Sequence, residues 1–299
     1  MKKLKLIILT SVVSIGIVGI MSGCGKDTKL VTESHAFDTT EAESQEVQIE
    51  DVKDTDIVKD GNLINSAKDY SVSASEVSKI LDNPYQGEGK QIFLTFDDGP
   101  SEGTDKVLKI LEDKDVHGTF FVLGESLDKP GAEERLKTTI QKGNAIANHT
   151  YSHDYKKLYP NGEADIATFM KELNDTNKRM KEILGEDFNA SVIRMPSGHM
   201  SRKYYNDPNL GALDAKFKEE GIVQLDWTAE NGDGMSRKES LDTMLNRVYE
   251  QTKEQKNIVL LMHDSKGKDL TIEALPIIID HFKEKGFTFK VIANDNIEK

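Results

Sequence analysis

Two adjacent carboxylates, Asp97 and Asp98, follow the run Ile92-Phe93-Leu94-Thr95-Phe96 and precede Gly99-Pro100. An apolar run rich in aromatic and β-branched residues reads as a buried strand. A strand that ends on two like charges carries a repulsion that raises their pKa values unless a cation or a donor lies between them. Asp-Gly is also common turn chemistry, so the doublet alone leaves a solvated turn open. His149 and His153 are four residues apart, and on a helical turn both imidazoles would face one side. With a carboxylate from another segment they would make a two-histidine, one-carboxylate site for a divalent metal. Thr150 follows His149, so this is not the HExxH of metalloproteases, and a general base must come from elsewhere. The doublet can supply it: a cation neutralises Asp98 while Asp97 takes a proton from metal-bound water.

The elements that must position these groups alternate. Strands are expected at 92–96, 118–123, 144–148, 191–194, 222–226, 258–262 and 288–292, and helices at 104–115, 132–142, 164–184, 212–220, 240–253 and 272–285. Gly143, Gly185, Gly221 and Gly286 follow four of these helices, where a left-handed cap turns the chain into the next strand. Strand and helix alternating in this way imply a parallel sheet covered by helices. Seven strands in this length suit an α/β fold of the distorted, incomplete TIM-like (β/α) barrel type, with about seven parallel strands. No Gly-rich phosphate loop follows a strand, which argues against nucleotide binding.

In such a barrel the C-terminal strand ends share the face on which sites form. Asp97-Asp98 follow the first strand, Asn148 to His153 the third, Arg194 ends the fourth, Asp226-Trp227 the fifth and His263-Asp264 the sixth. Five strands would thus aim ionisable groups at one place. His35, His117, His199 and His281 read as surface or satisfied histidines, with His199 near enough to the Arg194 loop to reach a groove. Asn148 is either a loop-fixing residue or incidental, and Asp264 either supports the site or lies in an exposed turn.

The segments TFDDGP, HTYSH, RMPSG, LDW and LLMHD, in this order, resemble the five motifs of the polysaccharide deacetylases with a NodB homology domain, carbohydrate esterase family 4. The resemblance runs from about Gln91 to the C-terminus. It implies that Asp97 is the general base, that Asp98, His149 and His153 bind one divalent ion (Zn²⁺ first, with Co²⁺ or Ni²⁺ as alternatives), and that Arg194 orients Asp97. It further implies that His263 protonates the leaving amine with Asp226 raising its pKa, that the Ser197 N–H helps hold the oxyanion, and that Trp227 and Leu261 wall a pocket for the acetyl methyl. The third motif usually reads R-P-P-Y/F-G, whereas Met195 and Ser197 stand here, so a groove-lining ring is missing and substrate preference is open. The implied reaction is hydrolysis of N-acetyl groups on N-acetylglucosamine of a polysaccharide, with peptidoglycan the first choice. The alternatives are a chitin-oligomer deacetylase, an O-acetyl esterase on a xylan-like polymer, or a catalytically silent glycan-binding lipoprotein.

Lys2, Lys3 and Lys5 precede an apolar run to Met21, and Met21-Ser22-Gly23-Cys24 resembles a lipobox around the chain's one cysteine. Residues 1–23 are therefore expected to be a lipoprotein signal peptide, with Cys24 lipidated and the protein held to the outer face of a bacterial cell membrane, facing the wall. Between Gly25 and Asp60 stand eleven acidic and four basic residues with one aromatic, too little apolar surface to fold. Residues 24–75 are read as an acidic tether and 76–299 as the catalytic domain. The net charge of −13 argues against a nucleic-acid partner, and a monomer is expected.

Overall fold

The computed structural model describes residues 53–87, 89–235 and 239–297. The expected signal peptide, Cys24 and the first part of the expected tether lie outside these residues. Strand β1 (Ser71–Ser73) and helix α1 (Ala74–Asp82) precede β2 (Gln91–Gly99). There follow α2 (Glu102–Asp113), β3 (Gly118–Val122), α3 (Gly124–Leu127), α4 (Ala132–Gln141), β4 (Ala145–Asn148), α5 (Tyr155–Leu158), α6 (Ile166–Leu184) and β5 (Val192–Ile193). The chain continues through α7 (His199–Tyr204), α8 (Leu210–Glu219), β6 (Val223–Gln224), β7 (Ala229–Glu230), α9 (Leu241–Thr252), β8 (Asn257–His263), α10 (Asp269–Glu284), β9 (Thr288–Phe289) and β10 (Val291–Ala293).

Seven parallel strands in the order β6-β5-β4-β3-β2-β8-β7 curl into the expected incomplete barrel. The helices begin and end close to where their caps predict. Ser101 caps α2 in a box with Thr104, which starts that helix two residues before the expected Thr104. Gly143, Gly221 and Gly286 all take positive φ, the left-handed stops the sequence calls for.

Period-two alternation sorts the strand side chains into two sets. Ile92, Leu94 and Phe96 of β2 join Val107, Leu111, Leu275 and Ile279 in the cluster under the helices. Phe93 gathers with Phe121, Ala147, Val192, Leu225 and Val259 on the inner face. The register Phe93↔Val259, Thr95↔Leu261, Asp97↔His263 then carries an apolar, a mixed and a charged layer up the inside of β2 and β8. The site sits on top of a packed interior because the ionisable residues come at the ends of β2 and β8.

Two expectations are corrected. The segment 288–292 is not one barrel strand: β9 pairs with the start of β2, while β10 pairs with β1 in a separate two-stranded sheet. The seventh barrel strand is β7, two residues long and too short to show a period. The tether also ends well before residue 75. Leu63, Ile64 and Ala67 are buried in the main core, and Val72, Ala74 and Val77 join the inner-face cluster. Buried Asn62 ties this lead-in down, its Nδ2 donating to the carbonyls of Ile146 (3.2 Å) and Ile292 (3.0 Å) while its Oδ1 accepts from the N–H of Asn294 (2.9 Å). Composition predicted an extended segment because the surrounding charges outnumber these few apolar residues.

Candidate metal and catalytic site

Successive strand residues face opposite ways, yet Asp97 and Asp98 must serve one site. A bulge resolves this. Asp97 pairs with Phe121 and Gly99 with Val122, so the β2–β3 ladder skips Asp98, whose φ is positive. An extra residue of this kind bends the strand and re-aims a side chain. Asp97 thus continues the inner face beside His263, while Asp98 is swung round to the same end. Asp98, Thr150, His153 and Ser197 are four of the eight described non-glycine residues with positive φ, and strain of this kind collects where function needs it.

Asp97 is held by Arg194. The guanidinium is wholly buried, donates to Asp97 Oδ1 at 2.7 Å and to Thr95 Oγ1 at 3.0 Å, and reaches the carbonyls of Leu225 (3.1 Å) and Asp226 (3.1 Å). It lies over the Phe121 ring at 4.1 Å. A buried pair of this kind costs desolvation that only a full set of hydrogen bonds offsets, and Arg194 has that set. It fixes the carboxylate's orientation and leaves Oδ2 turned toward His149, 3.7 Å from Nε2.

His149 and His153 do not lie on a helical turn. Residues 149–154 form a loop with Thr150 and His153 in the left-handed region, and the two rings sit 5.1 Å apart, tilted by 52°. The loop is braced by residues whose role composition concealed. Buried Glu172 of α6 accepts from the N–H of Tyr151 (3.2 Å) and Ser152 (3.0 Å) and from Ser152 Oγ (2.6 Å). Asn148 accepts from the Thr150 N–H and donates to the Leu173 carbonyl, both at 2.9 Å, so it is the loop-fixing residue. His149 Nδ1 donates to the Arg194 carbonyl at 2.7 Å, leaving the Nε2 lone pair to face Asp98 Oδ1 at 3.6 Å. Burial lowers the His149 pKa, outweighing the nearby aspartates, and keeps the ring in its ligating neutral form.

His153 Nε2 stands 3.9 Å from the same Asp98 oxygen, and the ligand atoms of Asp98, His149 and His153 all lie within 4.8 Å of one another. Asp98 Oδ1 is buried with no hydrogen-bond partner. Such an orphan is costly in a folded protein unless a cation takes it. One carboxylate and two imidazoles fit zinc and its neighbours in the first transition row.

His263 faces this group from β8, its Nε2 4.0 Å from Asp98 Oδ2. The expected partner, Asp226, is elsewhere: its carboxylate accepts from the N–H groups of His199 (2.8 Å) and Met200 (2.7 Å) and caps α7. The carboxylate on His263 is Asp233, 2.6 Å from Nδ1, accepting also from the His263 N–H (2.9 Å) and Thr271 Oγ1 (2.6 Å). Burial opposes the charged form of His263, but Asp233 overrides it and, with Asp97 and Asp98, pushes the pKa up to about 9. Burial would likewise raise Asp233, and its hydrogen bonds to His263 and Thr271 hold it below the usual carboxylate range instead. The signal for Asp233 is the Gly-Asp-Gly at 232–234; a side chain at Gly234 would stand 3.2 Å from the His263 ring.

Asp264, left open by the sequence, is fully buried. Thr104 Oγ1 donates to its Oδ2, and Ser101 Oγ donates to its carbonyl at 2.5 Å. Burial raises its pKa to about 7. Trp227 is half-buried and packs so closely on Gly198 that a Cβ there would lie 2.9 Å from the ring. Leu261 lies on the inner face beside Thr95, and exposed Ser197 stands at the tip of the Arg194 loop. His199 pairs with Asp214 at 2.9 Å and is not one of the Asp98, His149 and His153 group.

Residues 85–211 match the polysaccharide deacetylase family. The chain is 30% identical to the peptidoglycan-N-acetylmuramic acid deacetylase PdaA of Bacillus subtilis, over 70% of this chain and 73% of that protein. The chain belongs to the polysaccharide deacetylase family. A peptidoglycan-N-acetylglucosamine deacetylase of Bacillus cereus is 27% identical over 78% of this chain and 80% of its own length. Among solved structures, a Streptococcus mutans CE4 esterase matches with a TM-score of 0.70 and 34% identity, covering 77% of this chain and 95% of that one. This polysaccharide deacetylase is thus a hydrolase of N-acetyl amides with a glycan substrate, carrying an Asp/His/His group able to hold a metal.

Proposed function

We propose that the protein removes acetyl groups from N-acetylglucosamine of peptidoglycan, using one divalent ion, Zn²⁺ first, held by Asp98, His149 and His153. The observation that carries this reading is the placement of one restrained carboxylate, Asp97, and one imidazole, His263, around a metal-ligating trio with an orphaned carboxylate oxygen. An ion there supplies Lewis-acid polarisation of the acetyl carbonyl and makes water a better nucleophile near neutral pH. Asp97, its far oxygen held by Arg194, accepts the proton that water loses on attack. The Ser197 N–H, at an exposed loop tip and donating to no other described group, supplies a hydrogen bond to the developing oxyanion. His263, kept charged by Asp233, returns a proton to the nitrogen as the C–N bond breaks, leaving acetate and a free amine. Trp227 and Leu261 bound the acetyl methyl.

The choice of peptidoglycan draws on the named substrates of the Bacillus relatives and on the expected lipid anchor at Cys24. That anchor would hold a monomeric enzyme on the outer face of the cell membrane, beside the wall. Incubating metal-loaded protein with purified peptidoglycan and reading muropeptides by mass spectrometry tests this. Loss of one acetyl group from the glucosamine is expected; intact muropeptides alongside acetate release from chitin oligomers would overturn the substrate. The esterase designation of the Streptococcus mutans structure supports a second reading, an O-acetyl ester substrate. Acetate released from acetylated xylan but not from amide-linked sugars would favour it.

A further inference from the structure

Four of the seven large apolar side chains exposed among the described residues lie on two segments that leave the site directly. Tyr155 is two residues beyond His153, and Met200, Tyr204 and Tyr205 follow the Ser197 loop along α7. Tyr204 and Tyr205 are 79% and 66% exposed. Soluble proteins tolerate scattered apolar residues, but a group of rings on the segments that lead out of a site marks a surface that binds something.

The rings are braced from beneath. The Arg202 side chain is buried, with its guanidinium 4.4 Å from the Tyr159 ring centre, 5.1 Å from Tyr155 and 5.3 Å from Tyr205. It donates to Tyr155 Oη at 2.6 Å and to the Gly162 carbonyl at 3.1 Å. Tyr159 in turn donates to the Pro196 carbonyl at 2.9 Å, one residue from Ser197. The Asp226 carboxylate fixes the start of α7 from the other side. Exposed rings and substrate loop are therefore one braced unit. Tyrosine held this way offers a broad contact area at low conformational cost, with a hydroxyl for polar groups.

We propose that Tyr155 and Tyr205, braced by Arg202, together with Tyr204, which stands edge-on to the Tyr205 ring at 5.2 Å, form a glycan subsite that stacks the sugar rings flanking the one being deacetylated. Pyranose rings match the chemistry: their axial C–H faces are apolar and lie flat on an aromatic ring, while their equatorial hydroxyls remain in water. The small Ser197 side chain offers the substrate no ring, and these tyrosines supply exposed aromatic surface on the segments that lead away from it. This subsite deepens the deacetylase reading and rests on it.

The test uses full-length, metal-loaded protein and the Tyr204→Ala/Tyr205→Ala double variant, with Tyr204→Phe/Tyr205→Phe as the ring-retaining control. Rates of acetate release from N-acetylglucosamine oligomers of five sugars and of one sugar are compared. For the pentamer, the alanine variant should raise KM about tenfold with kcat unchanged, the loss of one moderate contact hot spot. The single sugar should react as before, and the phenylalanine variant should behave as the parent. Equal effects on both substrates, or none on either, overturn the subsite. Binding of Asp97→Asn proteins to purified peptidoglycan, with and without the two tyrosines, separates the two claims. Weaker binding without the rings supports the subsite whatever the turnover, whereas unchanged binding defeats it. No acetate from any glycan defeats the deacetylase reading instead. Loss of binding to anionic phospholipid vesicles, with glycan binding intact, would assign the rings to a membrane surface and overturn the proposal.

Discussion

Replacing Asp233 by asparagine tests the catalytic geometry most directly. The side chain keeps its shape and can still accept the His263 N–H, but it loses the charge 2.6 Å from Nδ1. A hydrogen bond between charged groups is worth about 1.5–3 kcal/mol, and one pKa unit corresponds to about 1.4 kcal/mol. The His263 pKa should therefore fall by roughly 1–2 units from its value of about 9. Asp97 and Asp98 contribute to that value too, and an ion on Asp98 offsets its share, so Asp233, with a smaller share from Asp97, is the main support that remains in the loaded enzyme. A general acid acts while protonated, so activity falls as pH rises through its pKa. The alkaline limb of the profile of kcat/KM for acetate release should move down by roughly 1–2 pH units in the variant. Asp226→Asn should leave the limb in place, since its carboxylate serves α7, and should instead cost about 1 kcal/mol in a denaturant titration as a weakened cap. An alkaline limb that moves with Asp226 and not with Asp233 would refute the assignment.

Three further outcomes follow from the same geometry. Asp98→Ala should abolish stoichiometric zinc by elemental analysis, whereas Asp97→Asn should retain the metal and lose at least about a hundredfold in kcat, in the range set by removing a general base; equal metal loss in both would contradict the division of labour. Arg194→Lys cannot span Thr95, Asp97, Leu225 and Asp226 with one ammonium, so urea unfolding should show a loss of about 3 kcal/mol; a variant as stable as the parent would remove Arg194 as the organiser. Asp264 has its folded pKa raised from 3.8 to about 7, so it does not weaken the fold below its unfolded pKa, weakens it progressively as pH rises from about 4 to about 7, by up to roughly 4 kcal/mol, and adds nothing further above that. Asp264→Asn should therefore gain thermal stability over the parent progressively between about pH 4 and about pH 7 and hold a constant advantage above that, and a melting difference that is flat from about pH 4 to about pH 7 would count against it.

The longer barrel strands and the site segments behind them are readable because β2, β4 and β8 are short buried runs whose ionisable residues come at or just after their ends. What escaped was set by contacts distant in sequence or by segments too short to show a period. β7 has only two residues. Asp233 sits in a Gly-Asp-Gly that reads as a turn, while Asp226, directly after an apolar run, looked better placed to support His263. Glu172 lies on a long amphipathic helix where a charge looks solvated, yet it faces inward to hold Tyr151 and Ser152. The four-residue spacing of His149 and His153 suggested a helical turn, but two left-handed residues bring the rings together in a loop. Asn62 and its neighbours were hidden by an acidic composition that is a fair guide to a segment only when its few apolar residues have nowhere to pack.

The bulge at Asp98 bears on how the chain can vary in length. The β2–β3 ladder steps over one residue here, so β2 carries one more residue than its neighbour at this point. Removing either aspartate would let the ladder run unbroken, and it would also draw Gly99, Pro100 and Ser101 back by one position. Ser101 would then leave the Asp264 carbonyl and the start of α2, both of which it now serves. A substitution at 97 or 98 deletes one chemical group from an intact frame. A one-residue deletion misaligns the strand tip, the turn and the helix start together, so change of length is the graver lesion here.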